Sequence, residues 1–162
     1  MQIRDARPDD LAAIAPFFRA IVAAGETYAY PEDLDDSGIA ALWLVGQPGR
    51  CVVAVDSGGQ VLGSATMGPN RPGRGAHIAT ASFMVDPAVQ GRGVGRALGE
   101  EVVRWAQAEG YHGIQFNAVV ETNTAAVRLW QSLGFRIMAT IPEAFDHARH
   151  GRVGLHVMYR EL

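Results

Sequence analysis

Apolar positions recur along this chain with two periods, and the switches between them mark out its elements. Gln2–Ala6 alternates as a short strand. Pro8-Asp9-Asp10 then reads as a helix start, with proline in the first turn and acids at the positive end. Leu11, Ile14, Phe18 and Ile21 follow at helical spacing to about Ala24, and Gly25 stops the run. A second helix is predicted over Asp33–Val45, after an irregular stretch that carries Glu26, Tyr28 and Tyr30. Cys51–Val55 and Gln60–Met67 read as strands around the turn Asp56-Ser-Gly-Gly59, and Gly68–Gly75 as a loop. His77–Val85 is a strand. Gly91–Glu109 is a long helix with Val94, Leu98, Val102 and Trp105 on one face, and with Arg96, Glu100 and Arg104 spaced to pair on another. Gly113–Val120 is a strand, and a helix capped by Thr122 or Asn123 runs through Leu133 to Gly134. Phe135–Ile141 and Arg152–Arg160 are the last strands, with an irregular loop between them.

The order is βααβββαβαββ. Strands joined by short turns pair antiparallel, whereas the strand–helix–strand unit from His77 to Val120 requires a parallel pair. The expected fold class is α/β (an α+β mixed sheet): one twisted mixed sheet with helices packed over it, in a single domain spanning residues 1–162.

At the centre lies Ser82-Phe-Met-Val-Asp-Pro-Ala-Val-Gln-Gly-Arg-Gly-Val-Gly-Arg-Ala97. Asp86 and Pro87 break the strand, and Gly91, Gly93 and Gly95 open the helix. Glycines let backbone come close to a ligand, and the helix start offers unpaired N–H groups and a positive dipole end. Arg92 and Arg96 add charge, so the turn is suited to a pyrophosphate. A Walker loop is excluded because the chain has no lysine, and the spacing is not the Gly-x-Gly-x-x-Gly of a dinucleotide fingerprint.

Composition narrows the function further. The net charge is −3 and the fourteen basic residues, all arginine, are scattered, which argues against nucleic acid as a partner. No apolar run is long enough for a bilayer, and one cysteine, Cys51, excludes an intrachain disulfide; a cytoplasmic protein with no membrane partner is expected. The acids Glu32, Asp33, Asp35 and Asp36 read as a solvated helix start. His147 and His150 lack a third ligand at a recognisable spacing, and no metal is expected.

The string Gln90-Gly-Arg-Gly93-Val-Gly95 resembles the Gln/Arg-x-x-Gly-x-Gly/Ala signature of the GNAT superfamily of N-acetyltransferases, and Asn123-Thr-Ala-Ala-Val-Arg-Leu-Trp-Gln-Ser-Leu-Gly-Phe135 resembles its Asn-x-x-Ala-x-x-x-Tyr-x-x-x-Gly-Phe segment. The element order is similar as well. The resemblance implies acetyl-CoA as co-substrate, with Gln90, Gly91, Arg92, Gly93, Val94, Gly95 and Arg96 on the pyrophosphate. The backbone of Met84 and Val85 would hold the pantetheine arm, and Asn123 would contact the same arm or orient its helix. It also implies a weak prior for a homodimer.

Two departures concern catalysis. Where the superfamily often has a tyrosine able to protonate the leaving thiolate, this chain has Trp130, whose indole N–H is a donor and not an acid near neutral pH. The sulfur then leaves as thiolate, takes a proton from water, or uses another group such as Tyr28. Related small-amine enzymes often carry a glutamate on the fourth strand, but Ile78-Ala-Thr80-Ala-Ser82 holds no acid. Glu121 and Glu26 are the remaining candidates for a general base, and an acceptor of low basicity needs none. Glu26, Tyr28, Tyr30 and Phe145 are the candidates for acceptor binding. The expected reaction moves acetyl from acetyl-CoA directly to a primary amine of a small molecule, such as an amino acid, a related metabolite or an amine antibiotic. A protein or peptide acceptor, and a silent acyl-CoA-binding sensor, are the alternatives.

Overall fold

The computed structural model of the protein describes residues 1–89 and 91–162. The strands are β1 (Gln2–Asp5), β2 (Arg50–Val55), β3 (Val61–Pro69), β4 (Ile78–Val85), β5 (Gly113–Val120), β6 (Arg136–His147) and β7 (Gly151–Glu161). The helices are α1 (Leu11–Ala24), α2 (Asp36–Trp43), α3 (Val94–Ala108) and α4 (Thr124–Ser132). The predicted order is the observed one. The strands form one seven-stranded sheet in the order β1-β2-β3-β4-β5-β7-β6, antiparallel throughout except between β4 and β5.

Helices cover both faces of β2–β4, which is why β2 reads as a continuous apolar run with no alternation. Val52 and Ala54 point to the core beneath α3 and α4, with Val94, Leu98 and Val102. Cys51, Val53 and Val55 point the other way, to Ile14, Phe18, Val22, Ile39 and Trp43 of α1 and α2. The α3–α4 contact depends on Gly99. A Cβ there would lie 2.7 Å from Leu133 Cδ1 and 2.9 Å from Trp130 Cζ3, so only glycine lets α4 seat its tryptophan against α3.

Three expectations are corrected. Helix α2 begins at Asp36 and not Asp33, because Asp35 is its extended N-cap and accepts from Gly38 N–H at 2.7 Å. Helix α3 begins at Val94. Gly91 (φ 81°) and Gly93 (φ 78°) are left-handed, so the glycine turn precedes the helix rather than forming its first turn. The loop expected after Ile141 is strand. β6 runs on to His147 and pairs with β7 through Phe145↔Val153 and His147↔Gly151. A register shift between Ile141 and Phe145, with Glu143 at φ 53°, absorbs Pro142. That proline is tolerated because β6 is an edge strand.

Candidate active site

The parallel pair joins β4 to β5 only through Ile78↔Gly113 and Ala79↔Ile114. Beyond these residues the strands separate, and the opening holds a cavity of about 430 Å³. Period-two alternation decides which backbone groups face it. Asp86 N–H bonds Leu62 O at 2.9 Å, so the peptides of Ser82, Met84 and Asp86 turn toward β3 and those of Phe83 and Val85 turn into the opening. The expectation for Val85 is consistent with this orientation. Met84 also lines the cavity, but its carbonyl lies against Gly63 of β3 and its side chain is buried beneath α1. Phe83 was not singled out in the sequence, though counting back two residues from Val85 finds it.

Tyr28 fills the place that β5 vacates. Its hydroxyl donates to Phe83 O at 2.6 Å and accepts from Phe83 N–H at 2.9 Å. Burial pushes this phenol well above its usual pKa, even though the bond to Phe83 opposes the shift. A hydroxyl so buried and so engaged is a poor proton donor to a thiolate. Tyr30 stacks on Tyr28, and the indole N–H of Trp43 bonds Ser64, which fixes the floor beneath them.

On the α3–α4 side, the turn holding Gly91 and Gly93 has open space where a Cβ of either would point, and Gly93, the N-cap of α3, has no side chain to cap its first N–H groups. Val94 anchors that turn through a buried side chain, leaving only its backbone to meet a ligand. Arg92 is exposed, and Arg96 bonds Ser132 Oγ at 2.8 Å and lies 3.8 Å from Glu100. Gln90 lies outside the described residues. Asn123 caps α4 by accepting from Ala126 N–H, and it also lines the cavity. Trp130 lines it too, packed on Phe83 (4.5 Å) and Phe116 (5.0 Å). Among the described residues its indole N–H has no partner and is not sealed from solvent.

On the opposite face Thr80, Ser82 and Asn117 supply neutral polar groups, beside Tyr30 and Phe145. The β6–β7 turn folds over this side. Ala148 N–H bonds Gly25 O at 2.9 Å, and Arg149 pairs with Glu26. Glu26 is thereby held in an ion pair. Glu121 accepts from Gly154 N–H at 2.5 Å. The structure does not bring these two glutamates together, and neither lines the cavity. His147 and His150 stack 4.6 Å apart at the same turn, and no third His, Cys, Asp or Glu joins them among the described residues. His156 is half-buried, with Nδ1 2.8 Å from Thr140 Oγ1. Burial pushes the Cys51 thiol up to about 11, so it is protonated and unreactive at neutral pH.

Comparison with known proteins agrees with this geometry. A GCN5-related N-acetyltransferase from Kribbella flavida superposes with a TM-score of 0.97 at 61% identity, covering 99% of this chain and 97% of that one. A putative acetyltransferase from Salmonella typhimurium, yncA, solved with its cofactor acetyl-CoA, has a TM-score of 0.87 at 29% identity and covers 100% and 94%. The L-amino acid N-acyltransferase MnaT of Escherichia coli is 34% identical over 148 residues, 88% of this chain and 84% of MnaT. Two yeast relatives are matched over only 13% and 46% of their lengths. Residues 15–135 match the acetyltransferase (GNAT) family, and the chain belongs to it.

Proposed function

We propose that the protein transfers an acetyl group from acetyl-CoA to the primary amine of a small molecule by direct attack. The observation that carries this reading is the β4–β5 opening, whose cavity runs from Val85, Asn123 and Trp130 on one side of the sheet to Thr80, Ser82 and Asn117 on the other. Through it a thioester lying along β4 meets an amine entering from the α1–α2 side.

In this reading the backbone from Gly91 to Arg96 holds the pyrophosphate, Val85 pairs with the pantetheine amides, and Asn123 lines the same arm. Tyr28 takes up the Phe83 N–H, which leaves the Val85 N–H, facing the same opening, to stabilise the thioester oxygen as it turns anionic. Trp130 offers its indole N–H to the departing sulfur. Glu26 and Glu121, bound to Arg149 and Gly154, are held away from the amine, and either acts as base only through water. The β6–β7 turn closing onto Gly25 and Glu26 supports a small acceptor over a long peptide.

Among the described residues no helix is long and apolar enough to cross a membrane, and we place the protein in the cytoplasm. A homodimer pairing along β6 is supported by Met138 and Ile141, exposed on that edge strand, and sedimentation tests it.

Thiol release from acetyl-CoA across a panel of amines tests the reaction. Amine-dependent release is expected. Stabilisation by acetyl-CoA without release for any amine favours a sensor, and neither release nor stabilisation refutes the cofactor assignment.

A further inference from the structure

We infer that Glu121 is a positioning residue for the cofactor: its carboxylate clasps Gly154 of β7 and so sets where Asn123 and the start of α4 stand against the pantetheine arm. This rests on the acetyl-CoA reading above and adds to it a determinant of cofactor affinity.

Beyond Ala79↔Ile114 strand β5 has left β4, and β7 is the strand that still holds it. That hold is interrupted by a register shift between Phe116 and Val119 and resumes at Val119↔His156 and Val120↔Leu155. The next pair closes differently. Glu121 N–H donates to Gly154 O at 3.0 Å, as in a regular antiparallel rung, but the Gly154 N–H donates at 2.5 Å to Glu121 Oε1. The side chain stands in for its own carbonyl, which lets the backbone turn out of the sheet at once. Two residues on, Asn123 N–H bonds Val120 O at 2.9 Å, and its side chain caps α4 through Ala126 N–H while lining the cavity. One tight turn therefore links the Glu121 clasp to the Asn123 cap, and displacing the first displaces the second.

Gly154 makes room for this bond. A Cβ there would lie 2.8 Å from Glu121 Oε2 and 2.8 Å from Thr140 Cγ2, so only glycine leaves space for the carboxylate beside Thr140. A hydrogen bond to a carboxylate is also stronger than one between neutral groups, which suits a strand end held from one side.

Calorimetric titration with acetyl-CoA tests the clasp without an acceptor. Glu121→Ala should weaken binding by about tenfold, near the lower end of what a hydrogen bond to a charged group is worth. Glu121→Gln keeps an oxygen for Gly154 and should stay within about threefold of wild type. Gly154→Ala retains Glu121 but displaces its carboxylate. It should match Glu121→Ala, and the double variant should bind no more weakly than either. Thr140→Ala removes packing at the same spot without removing the bond, and should bind as wild type does. Unchanged affinity in Glu121→Ala or Gly154→Ala, with any loss confined to turnover, overturns the inference and leaves the cofactor site standing. Glu121→Gln binding as weakly as Glu121→Ala overturns it too, because charge and not the clasp would then matter. An equal loss in Thr140→Ala does the same, since general loosening of β6 and β7 would account for every variant. No binding of acetyl-CoA by the wild type overturns both the clasp and the cofactor reading.

Discussion

The Tyr28 hydroxyl engages both hydrogen-bonding groups of Phe83, donating to its carbonyl at 2.6 Å and accepting from its N–H at 2.9 Å. One side chain from the α1–α2 segment thus substitutes for a missing rung of β5. It satisfies the Phe83 peptide where the sheet opens and ties the α1–α2 segment to β4.

Tyr28→Phe leaves both groups of Phe83 without that partner and should cost about 1–3 kcal/mol of stability, read by urea unfolding. The phenol's pKa is raised in the folded state, so its contribution is complete below the ordinary tyrosine value and is lost as pH rises past it. Wild-type stability should therefore decline above about pH 10, and more steeply than that of Tyr28→Phe.

Gly91→Ala separates strain from ligand contact. Gly91 and Gly110 are both left-handed (φ 81° and 77°), each with open space where a Cβ would point. Alanine at either should cost about 1–2 kcal/mol. Only the Gly91 variant should raise KM for acetyl-CoA, because Gly110 lies at the far end of α3. Equal KM values would remove the turn from the cofactor site.

Trp130→Phe keeps the aromatic stack on Phe83 and Phe116 but deletes the indole N–H. If that group holds the departing sulfur, kcat should fall by up to about tenfold with KM for acetyl-CoA nearly unchanged. An unchanged kcat would leave Trp130 as packing alone.

Arg4 grips Asp10 through two bonds (2.7 and 2.8 Å), and Arg7 N–H adds a third at 2.6 Å. The Arg4 bond holds the Asp10 carboxyl below the usual carboxylate range, although burial opposes it. Its stabilisation is present above that range and is lost as pH falls through the depressed value. Asp10→Asn should cost about 1–3 kcal/mol at pH 7, and the difference from wild type should shrink on acidification.

Arg149→Ala breaks the clasp with Glu26. This exposed pair contributes at most about 1 kcal/mol, so the melting temperature should barely move. The KM for the acceptor should rise while that for acetyl-CoA stays constant, because the pair sits only on the acceptor side.

Much of this molecule was legible in one dimension because the deciding interactions are local. Apolar periodicity marks the helices and most of the strands, Asn123 caps α4 from its own sequence neighbourhood, and glycines at alternate positions announce a backbone turn whatever surrounds them. Pro142 shows the limit, since a proline in a polar stretch reads as a loop until the neighbouring strand shows that a bulge absorbs it. The candidate base shows it more sharply. Glu26 and Glu121 are carboxylates at suitable places in the chain, yet what each can do depends on Arg149 and Gly154, partners 123 and 33 residues away. Likewise nothing near Tyr28 in sequence says that its hydroxyl will meet Phe83, 55 residues on. The sequence by itself determined the order of the elements and the glycine turn before α3, each set by dihedral preference and hydrophobic period. Tertiary structure alone decided which peptides face the opening and which charged side chains are paired, because pairing between distant segments is fixed only when the sheet closes around them.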